Sequence, residues 1–304
     1  PGRIFLQGVK TLFERVKANP PGHPVRVRIL MGMKGLKDQR AIVMNDLAFL
    51  QIDMDRPDLG WKVEVASYRD GNPIYSHVKM MIVDGKHVIA SGYNMQYSYL
   101  KTNPEHDMGI QVSGPIASNT LEVFDSQWMG ANVCELAALN ICLAESTITA
   151  PIDHDVLTPL PSGDDLVFSL YRDDTNKTAD NAIAAAIRTA NNEVNILQNR
   201  FLYGRYYPLQ YQFAVLDALK QNSSNFLFVV KILASGDWKN QEMNAKSLCA
   251  FRKRAIEENA ILPGSLLIKL STKENPIHTK SLSIDSAFVI VGSQNFDGSA
   301  WGDS

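Results

Sequence analysis

Two stretches of the sequence repeat the same four polar residue types at the same spacing. The motif copies are His77-x-Lys79-x4-Asp84 followed by Asn94, and His278-x-Lys280-x4-Asp285 followed by Asn295. In both copies the Asn follows the His by 17 residues. Chance explains two matching copies poorly, so the repeat predicts two related halves that share one function.

Imidazole, ammonium and amide groups are what the cleavage of a phosphodiester needs. Side chains at i and i+2 of a strand project from one face, so the His and Lys of each copy should converge on one pocket. The Asn should return on the next strand of a hairpin as an amide donor. Two such faces about a pseudo-twofold axis would place two imidazoles on opposite sides of one phosphorus. A single copy has a plain alternative, in which the His caps a turn and the Lys faces solvent.

Apolar runs of strand length alternate with helical patterns, which predicts an α/β chain. Residues 145–165 hold three prolines and a Ser-Gly-Asp-Asp run, typical of a linker, so a domain break is predicted near residue 150. The predicted strands are 24–31, 61–67, 78–84, 87–90, 108–112, 166–171, 193–198, 226–234, 266–270 and two short strands around Asp285; the predicted helices are 4–18, 118–129, 179–190, 209–220 and 241–258.

Composition excludes some classes of protein. The chain has 304 residues and a formal net charge of −2, whereas proteins that coat nucleic acid normally have a marked Lys/Arg excess. Three cysteines are too few for a disulfide-stapled small fold or a zinc site. For Cys134 and Cys142 a bridge and two buried thiols both fit, and buried thiols are preferred. No apolar run approaches the ~20 residues that span a bilayer, and the N-terminal residues lack a signal-peptide pattern.

The two motifs resemble those of the phospholipase D superfamily, and the resemblance covers both halves. It implies an α/β fold of two similar α-β-α sandwich lobes related by pseudo-twofold symmetry, with one active site at their interface. The expected lobes are residues 1–150 and residues 151–304. The family normally has a strand and a helix before the segment matched by 4–18, and a closing strand after Asp303, so both ends are expected to be incomplete. Ser91 stands where the family usually has Gly; a small residue should keep the turn.

Roles for individual residues follow from the chemistry and the resemblance together. The resemblance makes His77 the nucleophile and His278 the general acid, although the sequence itself is symmetric. It also implies that Asp107 and Asp303 each orient the His of the opposite lobe; a strand-entry residue and a solvated loop residue are the alternatives. We expect Lys79, Lys280, Asn94 and Asn295 to hold the non-bridging phosphate oxygens, and Asp84 and Asp285 to be structural. No metal or cofactor is expected, because the ammonium groups supply the positive charge.

Two motifs on one chain and a near-neutral charge favour the phospholipid members of the family. The expected protein is a phospholipase D or phosphatidyl transferase that works through a phosphohistidine. It should act as a monomer with pseudo-dimeric lobes at a membrane surface, and a secreted or membrane-peripheral location is preferred to a cytoplasmic one. Residues Met95, Tyr97, Tyr99, Tyr203, Tyr206, Tyr207 and Tyr211 suit either a membrane boundary or core packing.

Two other functions remain open. The first is a nuclease, for which nucleic acid would be the partner. The second is a non-catalytic member that binds phosphates or scaffolds other proteins. The basic residues available to a nuclease are Arg3, Lys10, Arg15, Lys17, Arg26 and Arg28, or Lys239, Lys246, Arg252, Lys253 and Arg254.

Overall fold

A computed structural model of the chain describes residues 2–32, 39–68, 76–94, 105–138, 141–151, 161–172, 177–204 and 210–296. In chain order the helices and strands are α1 (Gly2–Ala18), β1 (Val25–Met31), α2 (Gln39–Phe49), β2 (Asp55–Arg56), β3 (Trp61–Ser67), β4 (Met80–Val83), β5 (His87–Ser91), β6 (Gly109–Ser113), α3 (Pro115–Trp128), β7 (Asn132–Ala138), β8 (Ile141–Thr147), α4 (Thr178–Arg188), β9 (Glu193–Gln198), α5 (Gln210–Gln221), β10 (Val229–Ala234), α6 (Gln241–Glu257), β11 (Leu266–Leu270), β12 (Lys280–Ile284) and β13 (Phe288–Val291).

These elements form two compact units. Among the described residues, the N-unit runs to Val78 and resumes at Ser118 to end at 151, and the C-unit takes Lys79–Asn94, 105–117 and the residues from Pro161 onward. Residues 79–94 and 105–117 therefore group with the second half of the chain, and the compact units differ from a division near residue 150. The two lobes stay a prediction.

The N-unit is a mixed sheet covered by helices. β1 and β3 are parallel, β3 pairs antiparallel with β7, and β7 pairs antiparallel with β8. α1 buries its apolar stripe in this core, where the Phe13 ring packs 5.1 Å from that of Trp61. The stripe follows the i, i+3, i+4 spacing of an amphipathic helix.

A disulfide joins the hairpin of β7 and β8. Cys134 and Cys142 are bonded with an S–S distance of 2.10 Å. The preference for two buried thiols is therefore wrong: an antiparallel hairpin brings the two Cα atoms to 5.7 Å, within the range that a disulfide bridges. Sequence spacing did not show the hairpin that creates this proximity.

The C-unit contains a five-stranded sheet in the order β11-β10-β9-β12-β13. β9, β10 and β11 are parallel, and β12 runs antiparallel to β9. Helices α4, α5 and α6 bury their apolar faces with alternate residues of these strands, including Val194 and Ile196 of β9. The parallel strands all end at one edge of the sheet, and β12 begins there.

A separate three-stranded antiparallel sheet, β4-β5-β6, completes the described strands of the C-unit. Most predicted elements lie within a few residues of the observed ones. The strand predicted at 166–171 is wrong, since this segment forms no β-ladder and Leu166 and Phe168 are exposed. The predicted linker is also too long, because Glu145 still belongs to β8. Within the described residues no helix is both long enough and apolar enough to cross a membrane.

Candidate active site

Two β-hairpins of the C-unit carry the two motif copies. β4 pairs antiparallel with β5, and β12 pairs antiparallel with β13. In the first hairpin the Ser91 N–H donates to the Lys79 carbonyl over 3.1 Å, and in the second the Gly292 N–H donates to the Lys280 carbonyl over 3.1 Å. The repeat in sequence is therefore also a repeat of backbone structure.

The Asp of each motif lies in the hairpin turn. Asp84 and Gly85 have φ of 52° and 58°, and Asp285 and Ser286 have φ of 52° and 55°. Positive φ at both central residues is typical of the type I′ turn, whose twist matches that of the flanking strands. Asp tolerates this conformation better than most residues, because its short polar side chain bonds to nearby backbone.

Asp285 also ties its turn to the start of β9. Its Oδ1 accepts the N–H groups of Asn192 and Glu193 and its Oδ2 accepts that of Asn191, each over 2.8 Å. Burial acts to raise the pKa of Asp285, but these three donors together hold the pKa below its usual range. Asp84 makes no comparable side-chain hydrogen bonds to other described residues.

The second motif copy lies at the edge where the parallel strands end. His278 is half-buried just before β12, and Lys280, the first residue of β12, is only 3% exposed. Lys280 pairs with Gln198, the last residue of β9. Ligand sites of open α/β sheets lie outside this carboxyl edge, so the fold places the motif where a ligand can reach it.

The residues of the first copy differ in their surroundings. Lys79 and Asn94 are half-buried in the C-unit, whereas His77 is exposed and groups with the N-unit. The approach of His77 to His278 therefore stays a prediction.

A carboxylate from the segment before β6 meets the second imidazole. Asp107 Oδ2 lies 2.9 Å from Nδ1 of His278. The backbone holds them together, since His106 bridges in parallel to Ile277 and its carbonyl accepts the His278 N–H over 2.8 Å. The Met108 N–H donates to Asp107 Oδ1 over 2.9 Å. Asp107 thus lies against the second-motif imidazole, as the resemblance implies, and its orienting role stays a prediction.

This contact indicates which ring nitrogen of His278 carries a hydrogen. A carboxylate only accepts, so Nδ1 is the donor to Asp107. Nζ of Lys280 lies 2.8 Å from Nδ1 and 2.9 Å from Nε2, so the lysine side chain ends beside the ring. With Nδ1 directed at Asp107, Nε2 is the ring nitrogen that can exchange a proton with a substrate.

Burial makes both motif lysines weaker bases. Loss of hydration lowers the pKa of Lys280 to about 7, with Asp107 opposing this and Lys79 adding to it. Burial likewise lowers the pKa of Lys79 to about 8, against the attraction of Asp107. Burial alone would raise the pKa of Asp107, but the hydrogen bonds from His278 and the Met108 N–H keep that pKa below its usual range. The cluster can therefore gain or lose a proton near neutral pH.

The Asp107 carboxylate fits because Gly92 has no side chain. A Cβ atom on Gly92 would lie 2.4 Å from Asp107 Oδ1, well inside van der Waals contact. The motif spacing in the sequence does not reveal this contact. A Cβ atom on Gly292, the residue that corresponds to Ser91, would meet nothing within 4 Å, which agrees with a small side chain being tolerated there.

The loop after β13 holds Asn295 from both sides. Gln294 Nε2 donates to Asp180 Oδ1 over 3.0 Å, and the Phe296 N–H donates to the Arg200 carbonyl over 3.1 Å. Asn295 Oδ1 is buried and has no hydrogen-bond partner within the described part of the chain. A buried polar atom without a partner is costly, and a bound ligand would remove that cost.

Two of the residues considered for a membrane boundary pack inside the protein. Tyr211 is fully buried and donates its hydroxyl to Asp180 Oδ1 over 3.0 Å, so the interfacial interpretation is wrong for it. Tyr203 is half-buried and packs edge-on against Phe251 at 5.4 Å. Asp303, Met95, Tyr97, Tyr99, Tyr206 and Tyr207 lie outside the described residues.

Metal-binding side chains do not cluster in the part of the chain that the structure describes. No group of three or more His, Cys, Asp or Glu residues there has an arrangement that would hold a metal ion.

Comparisons with known proteins bear on the fold. No protein-family model matches the sequence, and no curated protein is significantly similar to it. The structure of phosphatidylserine synthase from Haemophilus influenzae Rd KW20 matches 96% of this chain and 77% of that chain, with a TM-score of 0.53 and 13% sequence identity. NucT from Helicobacter pylori matches 41% of this chain and 70% of that chain, with a TM-score of 0.30 and 17% identity, too weak a likeness to argue from.

The chain therefore has a mixed α/β fold similar to that of the phosphatidylserine synthase. This confirms the predicted α/β class, and the pseudo-twofold symmetry of two similar lobes stays a prediction.

Proposed function

We propose that the protein is a metal-independent phosphodiesterase of the phospholipase D superfamily that acts on phospholipids, by hydrolysis or by phosphatidyl transfer. The observation that carries the proposal is the cluster of His278, Asp107 and Lys280, with the lysine of the other motif copy, Lys79, close enough to shift the Lys280 pKa. An oriented imidazole beside two ammonium groups suits a reaction at an anionic phosphodiester.

In the first step Nε2 of His77 attacks phosphorus while the bond from phosphorus to the leaving oxygen breaks. The leaving alkoxide takes a proton from Nε2 of His278, and a phosphohistidine remains. Asp107 keeps the His278 ring oriented throughout, because it accepts from Nδ1 in either protonation state.

In the second step a water or an alcohol gives its proton to Nε2 of His278 and attacks phosphorus. The bond from phosphorus to His77 breaks, which restores the enzyme. Lys79, Lys280, Asn94 and Asn295 donate to the non-bridging oxygens and neutralise the charge that develops on them.

Ion pairing within the described helices favours a lipid over a nucleic acid. On α6 the cations Lys246 and Lys253 pair with acids four residues away, at 2.5 and 3.7 Å, and Arg254 pairs with Glu258. Paired cations attract a phosphate backbone weakly, because their charge is already neutralised. The fold match to a phosphatidylserine synthase along most of the chain also supports the lipid reading.

The disulfide supports a proposal for location. Stable disulfides form in oxidising compartments, since cytosolic thiols are kept reduced. The Cys134–Cys142 bond supports our proposal that the protein is secreted or lies at a membrane surface outside the cytoplasm.

The test of the chemistry replaces His77 and His278 singly by Asn and measures hydrolysis of bis-p-nitrophenyl phosphate with EDTA present. Each variant should lose about 10³-fold or more in kcat, since each lacks an essential nucleophile or acid. His87→Asn is the matched control, because His87 is an exposed residue of β5 that bonds to Ser113. Near-normal turnover by either motif variant would end the proposal, and inhibition of the natural enzyme by EDTA would end its metal-free part.

The substrate is tested with phosphatidylcholine, phosphatidylglycerol and single-stranded DNA. Lipid cleavage supports the proposal. DNA cleavage that falls steeply with added salt supports a nuclease instead. Failure to trap a phosphorylated His with a slow substrate would favour a non-catalytic role.

A further inference from the structure

A loop at the carboxyl edge of the C-unit sheet holds a tryptophan out in solvent. Trp238 follows β10 and is 80% exposed, while Ser235 and Asn240 on either side of it are 0% and 5% exposed. Trp61 and Trp128 are each 1% exposed. An indole is mostly apolar, so one that is nearly fully exposed between the buried residues Ser235 and Asn240 needs an explanation.

Asp237 makes this loop rigid. Its Oδ1 accepts the N–H groups of Lys239 and Asn240 over 2.8 and 3.0 Å. Its Oδ2 accepts the Ser235 hydroxyl and the Asn240 side-chain amide, each over 2.8 Å. Because the loop is already ordered, Trp238 loses little conformational entropy when it meets a surface.

The same hydrogen bonds connect the loop to the candidate active site. Ser235 Oγ accepts the N–H of Ile277 over 3.2 Å, and Ile277 directly precedes His278. Trp238 is therefore linked to the second-motif imidazole through its neighbour Asp237, then Ser235, then Ile277. It stands on the rim of the edge at which substrate would enter.

One cationic side chain lies over the indole, and a second is bonded to the same loop. Nζ of Lys239 lies 5.1 Å from the centroid of the Trp238 ring. Arg200 Nε donates to Asn240 Oδ1 over 2.9 Å, which holds the guanidinium beside the loop. Glu242, the first acid of α6, is paired with Lys246. An indole with neighbouring cations is the combination that favours the phosphate-rich boundary of a membrane.

We propose that Trp238, with Lys239 and Arg200, is the docking point of this protein on a phospholipid surface. The indole enters the headgroup layer while the two cations meet lipid phosphates. The choice of lipid rests on the proposed function. A nucleic acid strand fits less well, because it needs a track of cations along its length. On α6, the helix that follows the loop, Lys246, Lys253 and Arg254 are each paired with an acid.

The test measures sedimentation with vesicles of phosphatidylcholine and phosphatidylglycerol. Trp238→Ala should weaken vesicle binding about tenfold, because it removes most of the apolar area that enters the headgroup layer. Trp238→Phe should lose less. The matched control is Phe226→Ala, since Phe226 is 84% exposed but precedes β10 at the opposite edge of the sheet; it should bind vesicles normally.

Tryptophan fluorescence gives a second readout. Emission of the natural protein should shift to shorter wavelength when vesicles are added, and the shift should be missing in Trp238→Phe. Vesicle binding by Trp238→Ala that equals that of the natural protein would overturn the inference. The inference would also be overturned if Trp238→Ala lost binding to single-stranded DNA while its binding to vesicles stayed normal.

The outcomes separate this inference from the proposed function. If the protein cleaves bis-p-nitrophenyl phosphate but no lipid, while vesicle binding still depends on Trp238, the docking surface stands and the lipid substrate fails. If lipid is cleaved and vesicle binding is the same with and without Trp238, the proposed function stands and the docking surface fails.

Discussion

We expect the orientation of His278 to depend on Gly92, through Asp107. Asp107 holds the imidazole at Nδ1, and Asp107 in turn occupies the space that a side chain at Gly92 would fill. The backbone of Gly92 does not have a positive φ, so its conformation does not require glycine. Glycine is needed here because a side chain would collide with the Asp107 carboxylate.

Gly92→Ala should therefore act on the reaction through Asp107. The new methyl group would displace the carboxylate, and a misplacement of about 1 Å costs on the order of 100-fold in turnover. We expect kcat on bis-p-nitrophenyl phosphate to fall by about that factor, with KM changed little. Gly292→Ala is the matched control, because nothing lies within 4 Å of that position.

A double-variant cycle distinguishes this role from a general loss of stability. Once Asp107 is replaced by Asn, the additional Gly92→Ala change should cost much less, because the two residues act through one contact. Equal losses in both backgrounds, or normal turnover of Gly92→Ala, would contradict the positioning role.

Residue types and spacing were enough to select the candidate site residues of the two motif copies, since the chemistry requires those side chains whatever the fold. They did not show Gly92, whose role arises from a contact with a residue 15 positions later. Nor did they show that Tyr211 is buried and Trp238 exposed. Both are aromatic residues near polar ones, and only the surrounding helices and strands decide which side faces water.

The two hairpins differ in how they are attached to the C-unit. β12 pairs with β13 on one side and with β9 on the other, and Asp285 adds three hydrogen bonds to the start of β9. Among the described strands, β4 pairs with β5 alone. The second hairpin is thus part of the main sheet of its unit.

Asp285→Ala should consequently be far more damaging than Asp84→Ala. Removing the Asp285 carboxylate leaves three backbone N–H groups without their acceptor, at a cost of about 2 kcal/mol after water replaces part of the loss. The Asp84 substitution should cost less than about 1 kcal/mol, mainly from its turn conformation. Urea denaturation of the two variants checks this, and equal losses would contradict it.

The periodicity of apolar residues predicted whether most segments are helices or strands. It did not predict which strands pair. The segment 166–171 is an apolar run of strand length, but it forms no ladder, because a strand also needs a neighbouring backbone to bond. β10 begins at Val229 rather than 226, leaving Phe226 and Leu227 in solvent. The hairpin of β7 and β8 was missed because its Ala-rich sequence gives a weak strand signal.

For the molecule as a whole, burial of the Lys280 ammonium should lower the free energy of unfolding, although the proposed reaction needs this side chain. A buried ammonium loses its hydration, which lowers the pKa of Lys280 from an ordinary 10.5 to about 7. At pH 6 both the folded and the unfolded chain hold this proton, and folding bears the full cost of burying the charge. Between about pH 7 and 10.5 only the unfolded chain holds it, so stability rises with pH in that window.

Lys280→Met should remove this dependence. At pH 6 the variant should be more stable than the natural protein by about 2 kcal/mol, because an apolar side chain replaces a buried charge. The difference should shrink as the pH rises to 9.5, while kcat on bis-p-nitrophenyl phosphate is lost at every pH. Urea denaturation at pH 6, 8 and 9.5 measures it, with Lys231→Met as control, since Lys231 is 50% exposed. A stability difference that stays constant across these pH values would show that the Lys280 charge does not oppose folding.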